Sequence, residues 1–427
     1  MSSAPAQPLR ERLLRSLGER SEPLRVSIEE ARRAGVATYL VGGPVRDLLL
    51  DLPIGDLDVL LPDALEQVAV AIARRLGGRA VLRPRFLTAT VIAGELRIDL
   101  SQARRERYVR PGALPQVKPS TLEDDFRRRD FSLNTMALPL DAHAGAALLD
   151  PCGGRADLER GRVRVLHPGS FRDDPTRMLR AARYCARLGF RLSPETGQLL
   201  REAIAADALQ TISHDRVRHE VEKLLDESDA ARGAAATQRL GLFAAISPGW
   251  RLTASVQHAL RRLTGSRRGA PWPEATSADL QRACGMRLLF CGLPARARAR
   301  GIAALGLRGR RAEAIESDLR ELPRLQRALA RGPSAGKLDA LLASADEPLL
   351  LLLYCATHPP APRLVKRYAS TLRHQASPLD GHAVRALGLE GPAIGQLVRA
   401  ARQRALDGRP VEEPWLRSWL ARRRAMR

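Results

Sequence analysis

Strand-like alternation of apolar and polar residues is confined to about the first 150 of the 427 residues, and beyond Asp150 apolar residues recur almost only at helical spacing. That asymmetry predicts an α+β chain: an N-terminal head with a mixed sheet, followed by all-helical segments. In the head, "ATYLVGG" and "LDVLLP" read as short buried strands and "DALEQVAVAIARRLGG" as an amphipathic helix stopped by glycine. "ATVIAGELRIDLS" reads as a hairpin. Further on, Asp174, Pro175 and Gly189 bracket one helix, and "SPETGQLLREAIAA" opens another with a Ser-Pro start. At roughly 150 residues per domain the length predicts about three domains. The expected divisions are a head over 1–150, then helical segments over 151–226, 227–330 and 331–427. A Gly/Pro/Ser-rich linker is expected over 264–277, and a second boundary near "ARGPSAGK".

The formal net charge is +23, an excess that favours a polyanionic partner, nucleic acid before anionic lipid. Lysine occurs only at positions 118, 223, 337 and 366, so the charge is nearly all arginine, a bias that GC-rich coding also produces. Cys152, Cys185, Cys284, Cys291 and Cys355 form no Cys-x-x-Cys pair and no histidines cluster, so neither a zinc site nor a disulfide framework is expected. The N-terminus lacks the apolar core of a signal peptide, and "LLLLLYCA" is too short to span a bilayer. The expectation is a soluble cytoplasmic protein with no membrane partner.

The chemistry concentrates in "YLVGGPVRDLLLDLPIGDLDVLLP". Asp56 and Asp58 lie two apart on an expected strand, so their side chains leave one face, an arrangement able to share divalent cations for phosphoryl transfer. An Asp-x-Asp alone is more often solvated loop chemistry. Gly42 and Gly43 follow a strand and precede a helix opened by Pro44, which aims backbone N–H groups at an anion. Arg46, one turn in, either serves that anion or pairs with Asp47. Asp99 sits in the apolar strand "LRIDL", where a bare carboxylate is costly; a metal or an arginine from "RRER" would satisfy it. In "STLEDDFRRRDFSLNTMAL", Ser120 and Glu123 have capping-box spacing. They predict a helix whose continuation carries Arg128, Arg129, Asp130 and Asn134.

Taken in order, "LVGGPVRDLLL…DLDVLL", "RRRDFSLNTMAL", "LLDPCGGRADLERGRVRVL" and "FRDDPTRMLRAARYCARLGF" resemble the head and neck motifs of the class II tRNA nucleotidyltransferase and bacterial poly(A) polymerase family, from about Tyr39 to Leu225. A weaker echo near the C-terminus resembles that family's tail. The resemblance implies a polymerase-β-like head, then helical neck, body and tail. It implies Mg2+ on Asp56 and Asp58 with Asp99 as a third carboxylate, and triphosphate held by Gly42, Gly43 and Arg46. Arg129, Asp130 and Asn134 would contact the nucleotide's sugar and phosphates, and Gly153 and Gly154 would form a hinge.

In "DDPTR", the family's base-reading pair maps onto Asp174 and Arg177. Cytosine and adenine each offer an amino donor beside an unprotonated ring nitrogen, which a carboxylate and a guanidinium match; uracil and guanine present the reverse polarity. The chain departs from the family's pattern at Asp173, usually Glu, at Ser132, usually Thr, and at Thr135, often Ala.

The implied activity is untemplated CCA addition to tRNA from CTP and ATP, with tRNA gripped through phosphates in a salt-dependent way. Close alternatives are a CC-adding or A-adding enzyme, differing in a head segment around "RRERYVRPGALPQVKPS", and a poly(A) polymerase, whose signature "LRPRFLTATV" suggests only faintly. A non-catalytic RNA-binding relative or a small-molecule nucleotidyltransferase is the reading from another class.

Overall fold

The computed structural model describes residues 6–141, 147–266, 272 and 277–424, and the chain divides into two compact units, Met1–Val217 and Arg218–Arg427. Before Asp150 the first unit has eight strands among its described residues: β1 Tyr39–Val41, β2 Leu57–Leu61, β3 Arg79–Arg83, β4 Thr88–Ala93, β5 Leu96–Gln102, β6 Arg104–Arg107, β7 Gln116–Pro119 and β8 Ala137–Pro139. Six of them form one mixed sheet in the order β3-β4-β5-β2-β1-β8, in which only β2 and β5 run parallel. β6 and β7 form a separate antiparallel ribbon.

Central β2 is covered on both faces, and Leu57, Val59, Leu60 and Leu61 are buried, which is why its sequence reads as a near-continuous apolar run. The helix Leu65–Arg75 lies against β3 and β4 and buries Leu65, Val68, Ala69 and Ile72. An N-terminal helix, Ser21–Arg33, packs on it, with Arg75 bridging Glu29 and Glu30. The register then does the positioning. Asp58 on β2 stands opposite Asp99 on β5, and Asp99 stands opposite Thr90 on β4. Residues in register share a face of a pleated sheet, so three polar side chains line up across three strands.

The expected hairpin is β4–β5, turning at Gly94. Two expectations shift in detail. Pairing of β2 begins at Leu57, so Asp58 is on the strand while Asp56 occupies the exposed bend before it. The helix foreseen from Ser120 is capped instead by Thr121, whose hydroxyl accepts the N–H of Asp124, and it ends at Arg127. It stops because Asp125, fully buried, gathers Arg128 and Arg129 and turns the chain, leaving Asn134 in a separate 3-10 turn, Ser132–Asn134. Thr135 closes that turn by donating its hydroxyl to the Ser132 carbonyl at 2.6 Å.

Past Asp150 the described chain is helical apart from a two-residue parallel pair, Arg162–Val163 with Arg191–Leu192. The helix Thr176–Leu188 starts one residue later than its Pro175 suggests. The cap position is therefore Pro175 rather than Asp174, which sits one residue before it and accepts the Thr176 N–H and hydroxyl, and Gly189 ends the helix in the left-handed conformation. The second unit is helical throughout its described residues, around a core in which Trp250 packs between Phe243 and Phe290 at ring separations of 4.9 and 4.8 Å. The linker expected over 264–277 lies mostly outside the described residues; Trp272, within it, is buried against Tyr354. The five cysteines are free thiols. No helix among the described residues is long and apolar enough to cross a membrane.

Candidate active site

The row of polar side chains opens into a cleft of about 530 Å3 in the first unit. Its lining includes Gly42, Gly43, Asp58, Asp99, Arg129, Asp130, Asn134, Asp174 and Arg177, nine of the eleven residues singled out from the sequence. Residues from the sheet, the 3-10 turn and the helix Thr176–Leu188 thus meet, although the lining spans more than a hundred positions of the chain, from Gly42 to Arg177.

Gly42 sits at φ +72° and ψ −129°, a backbone conformation that residues with a Cβ avoid. A Cβ there would lie 3.3 Å from Nη1 of Arg129 and 3.8 Å from Oδ2 of Asp58. The turn therefore needs glycine both for its conformation and for the room it leaves between an acid and a guanidinium. Gly42→Ala is expected to destabilise the first unit by about 1–3 kcal/mol, measured by urea unfolding.

Arg46 is not on the cleft wall. It is 2% exposed and its bonds run inward: Nε and Nη2 bond Asp47, and Nη1 bonds Oδ1 of Asn134 at 2.9 Å. Of the two roles its position allowed, the pairing with Asp47 is the one formed. Through Asn134 it reaches Asp130, whose Oδ1 accepts from Asn134 and whose Oδ2 is held by Arg180 at 2.9 and 2.5 Å. Burial pushes the Asp130 carboxyl up, but Arg180 and the Asn134 hydrogen bond outweigh it and hold the group at about 2. Asp130 is a fixed anion with a preset direction. Tyr184 backs the network, with the guanidinium carbons of Arg46, Arg180 and Arg183 5.2–5.6 Å from its ring centre.

Arg129 is clamped by Asp125 through Nε and Nη2 and by the Asn134 carbonyl through Nη1, which fixes a positive charge beside Asp58. The Asp58 carboxyl is nevertheless pushed up to about 6, by burial first, then by Asp99 and Asp56, against the pull of Arg129 and Arg46. Asp99 is half-buried rather than lost in the apolar strand. It accepts from the Thr90 hydroxyl at 2.6 Å and from Arg97, so the arginine that satisfies it comes from its own strand and not from "RRER". Asp56 is exposed and outside the lining, though close enough to act on Asp58.

The donor set suits a hard cation. Burial and the neighbouring Asp99 and Asp56 penalise the ionised Asp58, and a divalent ion beside it would relieve that penalty. Among the described residues no group of three acids, histidines or cysteines is assembled to cage a metal. Mg2+ does not require one, since it is held by one or two carboxylates together with waters and substrate phosphates.

At the other end of the cleft, Arg177 is 4% exposed and held by Ser170 Oγ at 2.7 Å and the Arg128 carbonyl at 2.8 Å. Oδ1 of Asp174 takes the two Thr176 bonds and Nη2 of Arg216 at 2.7 Å, which leaves Oδ2 as an acceptor. Arg216 also donates to the Gly112 carbonyl, tying Asp174 to the β6–β7 connection. Arg180, Tyr184, Arg97 and Arg216 escaped the sequence reading. Helical spacing puts Arg180 one turn after Arg177, a signal that was available; Arg216 gave none, being 42 positions from its partner.

Comparison with known proteins agrees with this geometry. The "Poly A polymerase head domain" family profile matches residues 38–164, and that for the "Probable RNA and SrmB-binding site of polymerase A" matches 189–252. The chain is 36% identical over 262 residues to an A-adding tRNA nucleotidyltransferase of Halalkalibacterium halodurans, covering 61% of this chain and 59% of that one. It is 44% identical over 178 residues to a CC-adding tRNA nucleotidyltransferase of Deinococcus radiodurans, covering 41% and 48%. Both alignments span less than two thirds of the relative. The structure of the Thermotoga maritima CCA-adding enzyme in complex with tRNA matches with a TM-score of 0.75 at 25% identity over 99% of both chains. The two profiles and the fold agree: the chain carries a poly(A) polymerase head domain over residues 38–164, and the relatives and solved structures it resembles are tRNA nucleotidyltransferases.

Proposed function

We propose that the chain adds CCA to tRNA 3′ ends from CTP and ATP without a nucleic-acid template. The observation that carries this reading is one cleft that joins a carboxylate pair, Asp58 and Asp99, to an acid and a guanidinium, Asp174 and Arg177, set to read a base. Asp58 and Asp99, with Asp56 at the rim, would hold Mg2+, which when bound supplies charge neutralisation for the triphosphate and a lowered pKa at the primer hydroxyl.

The remaining chemistry belongs to the chain. The backbone at Gly42 and Gly43 and the clamped Arg129 accept phosphate oxygens. Asp130, kept ionised, accepts from a ribose hydroxyl. Oδ2 of Asp174 accepts an exocyclic amino proton while Arg177 donates to the neighbouring ring nitrogen, a match for cytosine and adenine alone. Arg46 acts from behind, holding Asn134 and through it Asp130. The basic excess of the chain suits tRNA phosphates.

A second reading, A addition alone, is favoured by the A-adding relative and would use the same residues of this chain. The two are separated with tRNA transcripts ending before CCA, after the first C and after CC, given labelled CTP or ATP and Mg2+. Completion of all three is the expected result. Extension of the CC-ended transcript alone would assign A addition, a stop after CC would assign CC addition, and no incorporation on any would overturn the catalytic reading.

A further inference from the structure

Arg97 and Asp99 are two apart on β5 and leave the same face of the sheet, into the cleft. Nε of Arg97 lies 3.1 Å from Oδ2 of Asp99, and Nη2 lies 3.2 Å from Oδ1 and 3.1 Å from Oδ2. Thr90 donates its hydroxyl to Oδ1 and receives Arg83 at 3.0 Å, so both carboxylate oxygens are engaged. The two contacts differ in kind. Thr90 is buried and fixed by its strand, whereas the Arg97 side chain is 59% exposed and that of Asp99 30%. A solvated pair of this sort is weak and opens readily. Arg129, on the other side of Asp58, is only 13% exposed and anchored to Asp125, so it has no comparable freedom to leave.

We propose that Arg97 is a resident counter-ion of the carboxylate pair: it occupies Asp99 in the cation-free protein and withdraws when a divalent cation is taken up by Asp58 and Asp99. The inference rests on the reading of those two acids as cation ligands, and goes beyond it in assigning this chain a built-in competitor. Its physical logic is charge balance. Asp58 and Asp99 face each other across the parallel strand pair, and a mobile guanidinium lowers their mutual repulsion until a doubly charged ion replaces it. The competition sets a threshold, because every cation that binds must displace one positive charge.

The test is Mn2+ binding to the full chain, without nucleotide and at low ionic strength, followed through the EPR signal of free Mn2+. Arg97→Gln is expected to bind Mn2+ about five- to tenfold more tightly than the wild type, the scale of removing one nearby charge in a solvated setting. Arg97→Lys, which keeps the charge, should stay within about twofold. Asp58→Asn should lose the site. Equal or weaker binding by Arg97→Gln overturns the proposal while leaving the ligand reading in place. Unchanged binding by Asp58→Asn, or no binding by wild type and Arg97→Gln alike, overturns the ligand reading and the proposal with it.

Discussion

Asp58→Asn should lower nucleotide incorporation by about a thousandfold or more, the scale on which a preorganised charge-stabilising group acts, and at the same time raise the thermal midpoint in EDTA at pH 7.5. Both effects have one cause. The Asp58 carboxyl sits at about 6 against an ordinary 3.8, because burial and the neighbouring acids penalise its ionised form. A carboxyl raised in the folded state contributes stability that is fully present below about pH 4 and is lost as pH rises through 6. At neutral pH the folded protein bears a cost of about 2–3 kcal/mol, the equivalent of a shift of roughly two units. An uncharged isostere removes it. The wild-type midpoint in EDTA should therefore fall between pH 4 and 6 relative to the variant's. Added Mg2+ should raise the wild-type midpoint and leave that of Asp58→Asn unmoved. A variant no more stable than wild type in EDTA would show that the acids are not under strain.

The second large effect is in the choice of base. Asp174→Asn replaces an acceptor by a group that can also donate, so the side chain can now face the O4 carbonyl of uracil. The expected outcome is a fall in the CTP-to-UTP incorporation ratio of about 10- to 100-fold, the worth of one matched hydrogen-bonding pair. Arg177→Ala is expected to lower CTP and ATP use together while leaving UTP and GTP poor, because it removes a donor without supplying an acceptor. Single-nucleotide incorporation with each of the four triphosphates reads both variants. Equal losses for all four in Asp174→Asn would remove Asp174 from base recognition and leave it as the acceptor of the Thr176 bonds.

How much of this was legible in the sequence follows from the distance over which each feature is determined. The β4–β5 hairpin, the Ser193 start and the Gly189 stop were readable because turn and cap chemistry acts over a few residues. The helix was foreseen from Ser120, one residue before its Thr121 cap, but not its early end. That end is set by the burial of Asp125, which draws Arg128 and Arg129 back onto itself, and burial is a tertiary fact. Arg46 shows the same limit from the other side. Its position beside a glycine turn suggested an anion, yet its partner Asn134 lies 88 positions on and turns it inward. Nine of eleven site residues line one cleft because motif order carried them; Arg180 was within reach of helical spacing from Arg177, whereas Arg216 meets Asp174 through packing alone.

The pairing of Asp58 with Asp99 across β2 and β5 separates what this chain can vary from what it cannot. Between the two acids the chain runs through the helix Leu65–Arg75 and then through β3 and β4 of the same sheet, joined by short connections outside it. Lengthening those connections costs only the slow logarithmic increment of loop closure, and moves neither acid. A single residue inserted within either strand would instead turn one carboxylate to the opposite face. The head can thus acquire new surface by insertion beside its chemistry, while the few residues of β2 and β5 admit substitution but no change of length.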